Sequence, residues 1–318
     1  MDQRYKDLLI IQDNISKQRE FAALNKAFNS ANIPMAPIKG MALLYEFPAY
    51  GETRPMADID ILVKKEDIRR SEDILLALGY KIQGGDFSKD YYLNDYHHLP
   101  FHGRYMVELH WDLSPPRHNK IIFPELWENT KEIQYMNDTA KLLSLENTIF
   151  SLALHLRRFN EPFSLKYIKD MQKILEVNSG RIGWDYILKY SRLNKLESLL
   201  YYSLICVKMK LGYPISNKII GMFYPGTLKA ILIKFFITRL KEENTEKIKK
   251  YAYVFLRFLL YDTILDFIKF IVLLPEEEFS RFFSIKFPSE RSWLIYSLRF
   301  LAAPFLFLAI NSSKKSSI

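Results

Sequence analysis

Asp58 and Asp60 stand two residues apart in the run DIDILV, residues 58–63, where acidic and aliphatic side chains alternate. Alternation with period two is the pattern of a strand, whose successive side chains point to opposite faces. Both carboxylates then share one face, about 6.6 Å apart along the chain, while Ile59, Ile61 and Val63 turn toward a core. Two carboxylates held that close repel each other and lose hydration unless a cation lies between them. Mg²⁺ suits that position, because it prefers carboxylate oxygens and keeps waters and substrate phosphates as its other ligands. A lone D-x-D also occurs on ordinary surface strands, so the reading needs a second feature.

The run RYMVELHWDL, residues 104–113, supplies one. Glu108, His110 and Asp112 fall on one face of a strand, and Val107, Leu109 and Trp111 on the other. Placed beside DIDILV, Glu108 would add a third carboxylate. Three carboxylates on adjacent strands can hold two divalent ions about 3.5–4 Å apart, the arrangement used for in-line phosphoryl displacement. His110 reads instead as a surface or hydrogen-bonded histidine. Upstream, Lys39 and Gly40 precede a short helix, where a glycine permits close backbone approach and the helix N-terminus offers unpaired N–H groups to an anion. Arg54, just before the acidic strand, is placed to clamp phosphate oxygens bidentately. Taken singly, these are a turn glycine and two solvated cations. His97, His98 and His102 in DYHHLPFHG raise the question of zinc, but adjacent histidines on a strand point to opposite faces. Hairpin histidines with ordinary hydrogen bonds are expected there, with His98 a candidate substrate contact.

Several elements must position these residues. Leu8, Leu9, Ile11, Ile15, Phe21, Leu24 and Phe28 recur at helical spacing, so residues 3–30 read as one long amphipathic helix. IPMAPIK reads as a short strand, MALLYEF as a short helix, and KKEDIRRSEDILLALGY as a helix stopped at Gly79 with a return strand over 80–83. YYLNDYHHLPF and RYMVELHWDL read as an antiparallel hairpin joined at His102 and Gly103. From SLENTIFSLALHLRRF onward nearly every window is helical. The expectation is an α+β fold: a catalytic domain over 1–125 with a mixed sheet and helices, then an all-helical domain over 126–318, without internal repeats.

The 318 residues are 49% hydrophobic and 25% charged, ordinary for a soluble globular protein. Cys206 is the single cysteine, which excludes an internal disulfide and a cysteine-rich zinc site. It reads as a buried thiol and points to a reducing compartment. No P-loop, nucleophile elbow or HExxH motif is present. Through residue 130, 16 Lys and Arg stand against 19 Asp and Glu, a net charge of −3, and the remaining 29 basic and 17 acidic residues give +12. That asymmetry suggests an anionic partner for the C-terminal domain, or simply a lysine-rich soluble surface. MDQRYKDLLIIQDN lacks the apolar core of a signal peptide. ILDFIKFIVLL is too short and too charged to span a membrane, and Arg299 and Pro304 interrupt WLIYSLRFLAAPFLFLAI. No transmembrane span is therefore expected, and the location expected is cytoplasmic, with membrane-surface association as an alternative. The tail NSSKKSSI reads as disordered.

Lys39-Gly40, then Arg54, then DIDILV, then a hairpin ending in VELHW together resemble the nucleotidyltransferases of the DNA polymerase β superfamily, most closely the branch of uncharacterised nucleotidyltransferases. Minimal nucleotidyltransferase antitoxins and abortive-infection toxins share the likeness. Its specific motifs cover residues 36–113, with weaker similarity around His155 and Asp170. The resemblance implies that Asp58 and Asp60 are the paired metal-binding aspartates and Glu108 the third acidic residue. It also places Gly40 and Met41 where the superfamily carries Gly-Ser or Gly-Gly at the helix start, with Lys39 and Arg54 on the phosphates. Two Mg²⁺ ions, with Mn²⁺ as an alternative, would serve transfer of an NMP, AMP by expectation, from an NTP to a hydroxyl on a small molecule, a protein or an RNA end. Pyrophosphate would leave. Two departures bear on the nucleotide: Met41 has no hydroxyl to give a phosphate, and the spacing from Gly40 to Asp58 is longer than in compact members. The alternatives are an antitoxin-like module with weak or no turnover, and a membrane-surface enzyme of envelope polysaccharide or lipid modification.

Overall fold

The computed structural model describes residues 3–83, 87–118, 121–135, 138–157, 164–178, 180–239, 255–273 and 275–283. These residues are α+β, and the chain divides into two compact units. One comprises residues 1–114 and 123–152, the other residues 115–122 and those from 153 onward.

The first unit is built on a five-stranded mixed sheet in the order β1-β2-β5-β4-β3. Its strands are β1 (Met35–Pro37), β2 (Ile59–Val63), β3 (Lys81–Ile82), β4 (His98–His102) and β5 (Met106–His110). β1 runs antiparallel to β2, and β2 runs parallel to β5. β5 and β4 form the antiparallel hairpin expected from the sequence, and β3 closes the edge. A two-stranded antiparallel sheet of β6 (Lys131–Tyr135) and β7 (Asp138–Leu142) also belongs to this unit, beyond the boundary that the sequence reading drew at residue 125.

β2 is buried at every position because Ile59, Ile61 and Val63 enter the core while Leu62 and Asp60 are covered on the other face. That core is completed by Leu99, Phe101, Val107 and Leu109 from the hairpin and by Phe21, Leu24 and Phe28 from α1 (Gln3–Ser30). The apolar stripe of α1 is buried only in its second half, since Leu8 and Leu9 are exposed. The polar residues of its buried face hold the approach to β2. Asn14 Nδ2 donates to the carbonyls of Gly51, Glu52 and Arg54 at 3.1, 2.9 and 2.8 Å, and Lys17 Nζ donates to the Met56 carbonyl at 2.6 Å. Asn14→Leu would leave those buried carbonyls without their donor. It is expected to lower stability by about 2–3 kcal/mol, read from urea unfolding, and an unchanged midpoint would show that the loop is held by other contacts.

The stretch before β4 also differs from the sequence reading. Residues Lys89–Asp95 form a helix, α5, rather than the start of an extended run, with Ser88 Oγ accepting from the Tyr91 N–H at 3.1 Å. A capping serine outweighs the β-leaning tyrosines there. Elsewhere in this unit α2 (Lys39–Glu46) and α4 (Ile68–Ala77) follow the sequence reading, the short α3 (Pro48–Gly51) has no counterpart in it, and Gly79 at φ 88° ends the segment after α4.

Beyond β7 the described chain is helical: α6 (Leu145–Leu156), then in the second unit α7 (Leu165–Asn178), α8 (Trp184–Asn194), α9 (Glu197–Leu211), α10 (Asn217–Gly221), α11 (Thr227–Arg239), and helices over Ile264–Val272 and Glu276–Phe283. α9 is buried from Ser198 to Val207, which includes Cys206. Burial pushes the Cys206 thiol up to about 12. Native protein at pH 8 is therefore expected to resist iodoacetamide and to react at one site once unfolded, and rapid native labelling would contradict this burial. Arg157 and Arg257 are also buried, stacked on Tyr261 at 4.8 Å and Phe270 at 4.1 Å. His155 packs on Tyr167 at 4.1 Å, and Asp170 is fully buried. No helix among the described residues is long and apolar enough to cross a membrane. Residues 240–254, WLIYSLRFLAAPFLFLAI and the tail NSSKKSSI lie outside the described residues.

Candidate active site

Parallel pairing of β2 with β5 sets Asp60 opposite Glu108 and Leu62 opposite His110. Antiparallel pairing of β4 with β5 sets His98 opposite His110. Since residues paired across strands project from the same face, one side of the sheet carries Asp60, Glu108, His110 and His98 side by side.

The contacts follow this register. His110 Nε2 lies 3.0 Å from Asp60 Oδ1 and 3.1 Å from Glu108 Oε2, and His98 Nε2 lies 3.4 Å from Glu108 Oε1. Lys39 Nζ reaches the same carboxylates, 2.5 Å from Asp60 Oδ1 and 3.4 Å from Glu108 Oε2. Lys39, Asp60, His98 and His110 are all buried. Burial pushes the Glu108 carboxyl up, but the neighbouring His98, Lys39 and His110 outweigh it and hold Glu108 well below the usual carboxylate range. Among the described residues, Asp60, Glu108 and His110 have ligand atoms within 4.8 Å of one another, as do His97, His98 and His110. Asp58, half-buried one residue before β2, belongs to neither group.

α2 delivers the cationic side. Lys39 opens it with φ 54°, a left-handed conformation that costs a non-glycine residue on the order of 1 kcal/mol and that its ion pairs help to hold. Ile38 at the N-cap gives the helix no side-chain bond, although its own N–H donates to the Asp60 carbonyl at 3.1 Å. Gly40 lets these neighbours pack closely, because a Cβ there would displace the Arg54 guanidinium and come within 2.7 Å of Met56 Cγ. Arg54, buried, therefore lies against the first turn of α2, with its backbone fixed by Asn14. Met41 points into the hydrophobic core, so only its main chain can face a ligand.

The His97, His98 and His110 rings converge, with centroids 4.6–5.2 Å apart. Strand alternation argued against this, but His97 lies in a bend before β4 and is free of the alternation. Its carbonyl accepts from the Trp111 N–H at 3.1 Å, which ties it to the end of β5. His102 is exposed at the other end of β4. Of the two positions expected for His110, surface or hydrogen-bonded, the structure has the second, buried, and the register that puts Asp60 opposite Glu108 is what encloses it.

Asp112 stands just beyond β5. Burial raises its carboxyl from 3.8 to about 6, against the opposing pull of the Leu113 and Ser114 amides, Lys65 and His110. The folded state thus holds a proton that the unfolded chain has lost between pH 4 and 6, so stability falls as pH rises through that window. Asp112→Asn should match the wild-type pH trend below pH 4 and gain about 1–3 kcal/mol on it above pH 6. Thermal unfolding between pH 3.5 and 7.5 measures this, and a constant difference would refute it.

Comparison with known proteins adds a family. A family model described as uncharacterised nucleotidyltransferase matches residues 4–212, more than half of the chain. No curated protein matches it. Among solved structures, the antibiotic-resistance factor ANT(2'')-Ia in solution is 16% identical over 54% of this chain and 85% of that chain, with a TM-score of 0.37. ANT(2'')-Ia in complex with adenylyl-2''-tobramycin is 16% identical over 51% of this chain and 89% of that chain, with a TM-score of 0.38.

Proposed function

The chain belongs to the uncharacterised nucleotidyltransferase family, and from that premise we propose a metal-dependent transfer of AMP from ATP to an acceptor hydroxyl, carried by Asp58, Asp60 and Glu108. The general activity, transfer of an NMP from an NTP, comes with the family. The observation that supports the finer reading is the pairing of Asp60 with Glu108 across adjacent parallel strands, where both share one cation, the Lys39 ammonium. That ammonium marks where the carboxylates need positive charge. A donor set of two carboxylates, with Asp58 just ahead of the strand, fits Mg²⁺ or Mn²⁺.

Asp58, Asp60 and Glu108 would hold one or two such ions, which when bound supply positive charge to the α-phosphate and the departing pyrophosphate. Glu108, held well below the usual carboxylate range, is a poor proton acceptor and better suited as a ligand. Lys39 would exchange its carboxylates for β- and γ-phosphate oxygens once the nucleotide enters. Arg54 and the uncapped amides at the start of α2, those of Gly40 and Met41 included, would complete the phosphate cradle. The acceptor oxygen then bonds to the α-phosphorus as the bond to the bridging oxygen of pyrophosphate breaks, and the hydroxyl proton passes to a base in the site. The acceptor is a small molecule, a protein or an RNA end.

One observation favours a second reading, an antitoxin-like module with weak or no turnover. Lys39 already neutralises the acidic pair and would have to leave it for the reaction. Incubating the protein with each of the four α-labelled NTPs, Mg²⁺ and cell extract separates the two. Label from ATP in a small-molecule, protein or RNA fraction, with pyrophosphate released, supports the enzyme. No transfer from any nucleotide to any fraction supports the module.

A further inference from the structure

We propose that His97, His98 and His110 form a second cation site, one that takes a nitrogen-preferring divalent transition ion of the zinc class. One ligand atom from each of the three lies within 4.8 Å of the other two, and all three residues are buried. Imidazole suits zinc and neighbouring transition ions, whereas Mg²⁺ calls for oxygen donors. This site therefore differs in kind from the carboxylate pair beside it.

His110 carries the argument. Its Nε2 sits between Asp60 Oδ1 and Glu108 Oε2, at 3.0 and 3.1 Å. Both are acceptors, so Nε2 is the nitrogen that bears the proton. Nδ1 is then the nitrogen left to bind, and it is buried without a hydrogen-bond partner. A lone pair placed there costs about 1–3 kcal/mol unless something uses it. A carboxylate that fixes one imidazole nitrogen while the other meets a metal is the usual support of a zinc-bound histidine. His98, opposite His110 in the hairpin, has its Nε2 at 3.4 Å from Glu108 Oε1, so the same carboxylate orients both rings. His97 is held by its carbonyl bond to Trp111. Zinc–nitrogen bonds of about 2.0 Å set nitrogens about 3.3 Å apart in a tetrahedron. A tetrahedral ion on three histidines would leave its fourth position to water or to an acceptor group.

The inference stands apart from the nucleotidyl-transfer reading, since the imidazoles can hold an ion whether or not the carboxylates do. Co²⁺ is the probe, added to the metal-stripped full chain at pH 7.5. Uptake of one equivalent with an intense tetrahedral visible band that Zn²⁺ abolishes is the expected result. His97→Ala and His98→Ala should each weaken it about tenfold or more, and Asp58→Asn should leave it unchanged. Unaltered protein labelled with ¹⁵N-histidine gives a readout that does not depend on variants folding, with Zn²⁺ shifting the imidazole nitrogens of all three residues together. No uptake, a weak octahedral spectrum, uptake indifferent to both histidine variants, or uptake lost in Asp58→Asn would each overturn the site.

Discussion

Asp60→Asn is expected to lower nucleotidyl transfer by about three orders of magnitude or more, the scale on which loss of about 4 kcal/mol of charge stabilisation acts on a rate. The amide keeps the shape of the carboxylate and removes its charge, so a divalent ion loses a ligand it cannot replace from Glu108 alone. The fold should survive. Lys39 keeps Glu108 at 3.4 Å, and the β2–β5 register depends on the main chain. The measurement is transfer of α-labelled AMP at saturating Mg²⁺, with thermal unfolding as the control for folding. Activity within tenfold of wild type would remove Asp60 from the chemistry.

Lys39→Met is expected to destabilise the metal-free protein by about 3 kcal/mol, because it leaves the buried Asp60 and the half-buried Glu108 without their shared cation. Added Mg²⁺ should then return stability as ligand binding does, by about 2.7 kcal/mol at a hundredfold excess over its dissociation constant. Wild type, whose ammonium already fills the position, should respond much less. Lys39→Gly should lose less than Lys39→Met, since glycine relieves the positive φ of 54°. Melting temperatures of the three proteins across a Mg²⁺ series decide the matter. Equal responses to Mg²⁺ in all three would show that the ammonium and the metal do not compete for one position.

Much of this fold was legible because its periods are clean. DIDILV could be placed as a strand and VELHW as the second arm of a hairpin from alternation alone, and the helices over 3–30 and 68–77 from apolar spacing. What alternation could not supply was the partner of each strand. That Asp60 meets Glu108, and that His98 meets His110, are properties of the β2–β5 and β5–β4 registers, which are long-range pairings. His97 escaped for the opposite reason: it lies one residue outside the strand whose period was applied to it. α5 was misread because seven residues rich in tyrosine carry strand propensity, while its capping Ser88 acts through a single local bond. The supports at Asn14 and Lys17 had no signal in the sequence, since polar residues at those spacings on a long helix ordinarily face water.

The most direct test of the acidic pair is calorimetric titration of Mg²⁺ and ATP together into the wild type and into Asp58→Asn/Asp60→Asn. Binding by wild type that requires the metal, and at least tenfold weaker binding by the double variant, is the predicted result. Equal binding by both proteins would contradict the assignment of these carboxylates to a metal-bound nucleotide.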